Sequence, residues 1–248
     1  MWRSNVNTGV FRLHAIAIFL FALCTGVLWQ CRAYDQAEPR VSYWLWAGLT
    51  THDAPPNSEL YVYQGLIRTD TLNSVYERRG LFPHPLKCKM LYLVYRLEGP
   101  LPDSKAIVDE FEQAVARWQR HPVVVAGIQL DFDSPTAKLS TYSAFLREFR
   151  NQLAPQFELS ITGLGDWVMS GDQGAMELIT STVDEMVIQL YRGRRPLANI
   201  DDYLYALSRY PLPFRIGLIS VAEPPEYLEE LEKNPNFNGI IYFVLGGI

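Results

Sequence analysis

A chain of 248 residues, 48% of them hydrophobic, can bury a sizeable core, which excludes global disorder. A formal charge of −5 at pH 7 argues against a nucleic-acid partner. Aromatic residues reach 13%, with 6 Trp and 14 Tyr, enough to offer flat faces to sugar rings as well as to pack a core.

The first 33 residues read as separate from the globular part. Arg3 and Arg12 precede the nearly all-apolar run "LHAIAIFLFALCTGVLW" at 13–29, and "CRAY" follows. A basic start, an apolar stretch and small residues at Cys31 and Ala33 make a secretory signal cut after Ala33. The run also reaches the short edge of a membrane span, so an uncleaved anchor is the alternative, and a membrane would be met only through this segment. The expected location is therefore periplasmic or extracellular, or at the inner membrane if the anchor stays. Cleavage would remove Arg3, Arg12 and Arg32 and no acid, taking the formal charge from −5 to −8. Cys24 and Cys31 would leave with the leader, and the remaining Cys88 can form no internal disulfide.

Residues 34–248 read as one domain. "VSYWLWAGLT" (41–50), "ELYVYQGLI" (59–67) and "KMLYLVYRLE" (89–98) are strands rich in aromatic and β-branched residues. In "DSKAIVDEFEQAVARWQR" (103–120), Ile107, Phe111, Val115 and Trp118 recur at helical spacing behind an Asp103 cap. The strand "VVVAGIQLDFD" (123–133) and the helix "TAKLSTYSAFLREFRNQL" (136–153) follow, then "FELSITGLGDWV" (157–168), a strand running into a loop. A short helix near 172–181 leads to the strand "VDEMVIQLYRG" (183–193), and "IDDYLYALSRY" (200–210) is helical. "FRIGLIS" (214–220), the helix "PEYLEELEKN" (225–234) and "GIIYFVLGG" (239–247) complete the chain. Eight strands alternating with helices from the third onward predict a compact (β/α)8 TIM-type barrel. It is trimmed in two places: no helix separates the first two strands, and none follows the eighth.

In such barrels the chemistry lies at the C-terminal ends of the strands. The fourth strand ends in Gln129, Asp131 and Asp133, which strand alternation places on the interior face. A buried carboxylate is costly unless partnered, and two neighbours push one pKa upward, as a proton donor requires. Asp131 and Asp133 are the catalytic candidates; their structural alternative is an Asp133 turn cap at "DSPT" and an Asp131 bound to backbone amides. Thr162, Asp166 and Trp167 stand at the end of the fifth strand, and Gln189 and Tyr191 at the sixth. Ser220 and Glu223 end the seventh, Tyr95 and Arg96 the third, and Trp46 the first. Gln129, Gln189, Tyr191, Trp46, Trp167, Asp166 and Glu223 are the candidate substrate-binding residues. Arg192 and Arg194 read as solvated loop charges able to pair with the carboxylates. His14, His52, His84 and His121 lack metal-ligand spacing, and no GxGxxG, GxxxxGK[ST] or GxSxG motif occurs. No metal or cofactor is therefore expected.

Two resemblances rest on these residues. "GIQLDFD" resembles the fourth-strand D-G-x-D-x-D-x-E signature of the chitinase-like glycoside hydrolases. Gly127 matches the glycine, Gln129 stands for the first strand Asp, Asp131 matches the next, and Asp133 takes the position of the acid. "IQLYRG" is similar to that family's sixth-strand Met-x-Tyr-Asp, with Gln189 for Met, Tyr191 for Tyr and Arg192 for Asp. The resemblance implies a proton donor at Asp133, one methylene shorter than the family's Glu, and a substrate-orienting Asp131. The nucleophile would come from the substrate or from a residue such as Glu223. "VAGIQLDFDSPTAKLSTYSAFLREFRNQL" and "LSITGLGDWV" are similar to the bacterial domain of unknown function 3142 family, across most of residues 41–248. That likeness implies a glycosidase-like barrel and no established activity. The function expected is an exported barrel acting on envelope or extracellular polysaccharide by carboxylate acid/base catalysis. The alternative is an inactive barrel that binds glycan or a partner protein.

Overall fold

The computed structural model describes residues 40–46, 54–70, 74–219 and 228–244. The leader and Ser220, Glu223, His14 and His52 lie outside the described residues. Eleven strands and six α-helices are described. The strands are β1 (Arg40–Leu45), β2 (Glu59–Thr69), β3 (Ser74–Arg78), β4 (Met90–Glu98), β5 (Val125–Asp131), β6 (Glu158–Leu164), β7 (Glu185–Gln189), β8 (Tyr191–Arg192), β9 (Arg195–Pro196), β10 (Phe214–Ile219) and β11 (Phe237–Phe243). The helices are α1 (Ser104–Trp118), α2 (Leu139–Gln152), α3 (Gly165–Ser170), α4 (Gln173–Thr182), α5 (Ile200–Leu207) and α6 (Leu228–Glu232).

Eight strands close on themselves in the order β1-β2-β4-β5-β6-β7-β10-β11, every neighbouring pair parallel, with β11 returning to β1. This is the (β/α)8 barrel expected from the strand–helix rhythm, and all eight strands fall where the sequence puts them. Among the described residues no helix joins β1 to β2. The sequence reading missed three features. The link from β2 to β4 carries β3, which pairs antiparallel with β2 at Gly65–Thr69, past the stretch of β2 that pairs with β1. Residues Tyr191 to Pro196 turn back as the small β8–β9 hairpin. The expected loop after β6 winds into α3 instead. All three are too short to establish a period against their surroundings.

The helices form for the reasons their sequences give. Asp103 caps α1 by accepting from the Lys105 backbone N–H at 3.2 Å, and Ile107, Phe111, Val115 and Trp118 are buried at its spacing. Asp172 caps α4 by accepting from Ala175 N–H at 2.8 Å. The main core lies between these helices and the outer strand faces; Cys88, a free thiol, packs half-buried against it.

A smaller core of Trp44, Tyr61, Tyr92, Val94, Val187 and Ile241 fills the barrel interior. Tyr61 and Tyr92 stack there with centroids 4.4 Å apart. Below them, at the N-terminal ends of the strands, Arg215 is fully buried. It donates to Glu185 Oε2 at 2.9 Å, to Ser42 Oγ at 2.7 Å, and to the carbonyls of Arg40 and Ile240 at 3.1 and 2.8 Å. Tyr61 donates its hydroxyl proton to Glu185 Oε1 at 2.7 Å, and Arg40 Nη2 meets Glu59 Oε1 at 2.5 Å. Burial alone would raise the Glu185 pKa; the Arg215 charge and the Tyr61 hydrogen bond outweigh it and hold this carboxyl below its ordinary value.

Candidate functional site

The opposite end of the ring carries the predicted carboxylates. Strand alternation puts Gln129 and Asp131 of β5 on the interior, beside Ser160 and Thr162 of β6 and Gln189 of β7. On the other flank, β4 pairs with β5 so that Arg96 lies opposite Asp131. Its guanidinium spans both acids: Nη1 donates to Asp131 Oδ1 at 3.0 Å, and Nη2 donates to Asp133 Oδ2. Thr162 Oγ1 at 2.8 Å and Gln189 Nε2 at 3.4 Å also donate to Asp131 Oδ1. Oδ2 of Asp131 accepts no hydrogen bond among the described residues.

The two acids therefore differ sharply in environment. The Asp131 side chain is 6% exposed and that of Asp133 46%. Burial raises the Asp131 pKa, and the Arg96 charge and Thr162 hydrogen bond only partly offset it, leaving the carboxyl above its ordinary value. Asp131 is thus the acid whose environment is retuned, whereas Asp133 sits at the lip.

Beneath them Gln129 is completely buried and satisfied. Its Oε1 accepts from Trp44 Nε1 at 2.5 Å, and its Nε2 donates to Ser160 Oγ at 2.9 Å. Ser160 in turn donates to Glu185 Oε1 at 2.9 Å, joining the floor of the upper site to the lower ion cluster. Gly217 of β10 makes room for this floor, because a Cβ there would stand 2.6 Å from the Trp44 ring.

Above the floor opens a cavity of about 1030 Å³. Asp131, Asp133, Gln129, Gln189, Tyr191, Trp46 and Asp166, seven of the nine predicted site residues, line it. Trp46 stacks on Tyr63 with centroids 4.2 Å apart, and Tyr191 stacks on Phe243 at 5.5 Å, giving the wall two aromatic pairs. Burial, with the nearby Asp131 charge, raises the Tyr191 phenol well above its ordinary value, so it meets a ligand as a neutral hydroxyl. Asp166 accepts from the Tyr203 hydroxyl at 2.7 Å. Among the described residues no group of three or more His, Cys, Asp or Glu side chains is arranged to hold a metal ion.

Trp167 corrects the sequence reading, since it does not line the cavity. It is 1% exposed, packs edge-on to Tyr142, and donates its indole N–H to the Ser134 carbonyl at 2.9 Å. The cause is α3, which begins at Gly165. A helical turn between adjacent residues sends Asp166 towards the cavity and Trp167 into the core. Glu223 lies outside the described residues. The guanidinium that pairs with both carboxylates is that of Arg96. The signal for it was present, since Arg96 continues the interior alternation of Tyr92 and Val94 to the top of β4.

Residues 87–208 match the model for domain of unknown function 3142. That stretch spans β4 through α5 and holds Arg96, Asp131, Asp133, Thr162, Gln189 and Tyr191, and therefore the whole Arg96-centred cluster. No curated protein sequence matches the chain. Among solved structures, the barrel is similar to the xylanase and alpha-amylase inhibitor protein XAIP-II from Scadoxus multiflorus. The two chains are 11% identical, with 83% of this chain and 93% of that one covered at a TM-score of 0.52. The likeness is one of fold, the closed eight-stranded parallel barrel with flanking helices.

Proposed function

We propose that this barrel is an exported carbohydrate-recognising module that binds saccharide in the cavity at the C-terminal ends of its strands. The Arg96 bridge carries the reading. A general acid must hold a proton beside the leaving oxygen. Asp133, the residue at the acid's position, instead faces a guanidinium that it shares with Asp131. Paired in this way, both carboxylates are acceptors suited to sugar hydroxyls. Trp46 and Tyr191 add aromatic surface at the wall, and Gln189 adds an amide. A concave cavity of this volume suits a small saccharide segment better than the flat face of a partner protein. The structural neighbour is itself described as an inhibitor, so the fold accommodates roles other than turnover. Export rests on the leader at residues 1–33 and nucleic acid is disfavoured by the charge, as set out above.

One observation favours hydrolysis as a second reading. Asp131 combines a raised pKa with a carboxyl oxygen, Oδ2, left without a described partner. On that reading Asp131, and not Asp133, carries the proton.

The test is a panel of N-acetylated and plain polysaccharides, followed by binding calorimetry and by release of reducing ends. Binding without release supports the module. Release that Asp131→Asn abolishes while affinity persists establishes the hydrolase instead. A protein that binds no saccharide in the panel overturns both.

A further inference from the structure

The cavity lining carries four acids, Glu98, Asp131, Asp133 and Asp166, and four guanidiniums, Arg79, Arg96, Arg192 and Arg195, but they do not all pair with one another. Glu98 is held by Arg68 at 3.3 Å, Asp166 by the Tyr203 hydroxyl, and Asp131 and Asp133 by Arg96. Arg79 is paired with Glu77. Two lining guanidiniums remain, those of Arg192 and Arg195. Neither side chain makes a hydrogen bond or ion pair with any described residue.

Their placement is structured. Arg192 on β8 is the direct cross-strand partner of Arg195 on β9. The two-residue turn between them begins at Gly193, whose φ of +60° suits the first central position of a type II′ hairpin. Residues directly opposite in an antiparallel pair project their side chains to the same face, and like charges there oppose folding. The hairpin nevertheless holds two cations side by side on the edge of the cavity. The chain as a whole is acidic, so the positive charge here is local.

We infer that Arg192 and Arg195 form an anion-binding clamp on the rim, and that the saccharide taken by the cavity is an acidic one bearing a carboxylate or sulfate group. Guanidinium forks match such planar or tetrahedral oxyanions. The inference rests on the saccharide reading above and narrows its ligand class.

The test pairs each acidic probe with its own neutral form: oligouronates against their carboxyl-reduced counterparts, and sulfated oligosaccharides against desulfated ones. The clamp predicts that an acidic member binds about tenfold tighter than its neutral twin, the scale of a charge-assisted contact. The preference should shrink as salt is added. Arg192→Gln combined with Arg195→Gln should erase it while leaving neutral binding and the melting curve unchanged. Whichever pair shows the preference identifies the anion. Equal affinity for acidic and neutral twins, or a preference that survives the double substitution, overturns the clamp and leaves the saccharide reading standing. Absence of binding by every probe overturns both.

Discussion

At the N-terminal end of the strands, Arg215 and Glu185 are sealed among side chains, and the guanidinium finds a carboxylate, a hydroxyl and two carbonyls. At the C-terminal end, Arg96 also joins acids, but it is a quarter exposed and its partners border an open cavity. The same chemical pair thus serves two purposes. Where water is excluded and nearly every donor is used, the charges bind strands together. Where one carboxylate oxygen and two rim guanidiniums lack described partners, capacity remains for a ligand. Burial with completed bonding reads as structure, and burial with bonding left over reads as a site.

Substitutions should separate the two ends by size of effect. Arg215→Met should be the most damaging, destabilising the fold by about 3–5 kcal/mol, because it takes the nearest cation from the buried Glu185 and leaves it Arg40 at 4.0 Å and the Tyr61 and Ser160 hydroxyls. Chemical denaturation measures this, and a loss under about 1 kcal/mol would mean that the lower cluster is not a buried ion pair. Arg96→Met should cost less, about 1–2 kcal/mol, since Asp131 keeps its Thr162 and Gln189 donors and Asp133 faces water. It should impair saccharide binding far more than stability, whereas Arg215→Met should do the reverse.

The pH dependence has opposite signs at the two ends. Glu185 titrates below its ordinary value of 4.5 in the folded state. Its contribution to stability is present above 4.5 and is lost as pH falls through that lower folded value. Asp131 titrates above its ordinary 3.8, so its burial opposes folding at neutral pH. That cost is relieved as pH falls through the raised value and has gone below 3.8. Denaturation series from neutral to acid pH should therefore show Glu185→Gln flattening the acid loss and Asp131→Asn steepening it relative to the parent. The smallest effect belongs to Asp133→Asn, within about 0.5 kcal/mol, because its side chain is 46% exposed and surface pairs contribute little.

Much of the barrel was legible because its strands are long and its helices amphipathic. Gln129 and Asp131 were placed on the interior by alternation alone, and the structure puts both there. What stayed hidden depended on neighbours distant in sequence. Arg96 and Asp131 belong to different strands, and only the β4–β5 register sets them side by side. Trp167 was misplaced because the stretch after β6, read as a loop, winds into a helical turn. The Arg192–Arg195 pair required a hairpin of two-residue strands, too short to leave a pattern.

Arg215 has a kinetic consequence as well. Its partners Arg40, Ser42 and Ile240 belong to the first and last described strands, and Glu185 to a third. Joining the two termini of a circular sheet carries the largest loop-closure entropy of any pairing in the domain. This side chain cannot be satisfied until that joint has formed, so it acts as the fastener that locks the completed circle, and its release should mark the opening of the same joint when the protein unfolds.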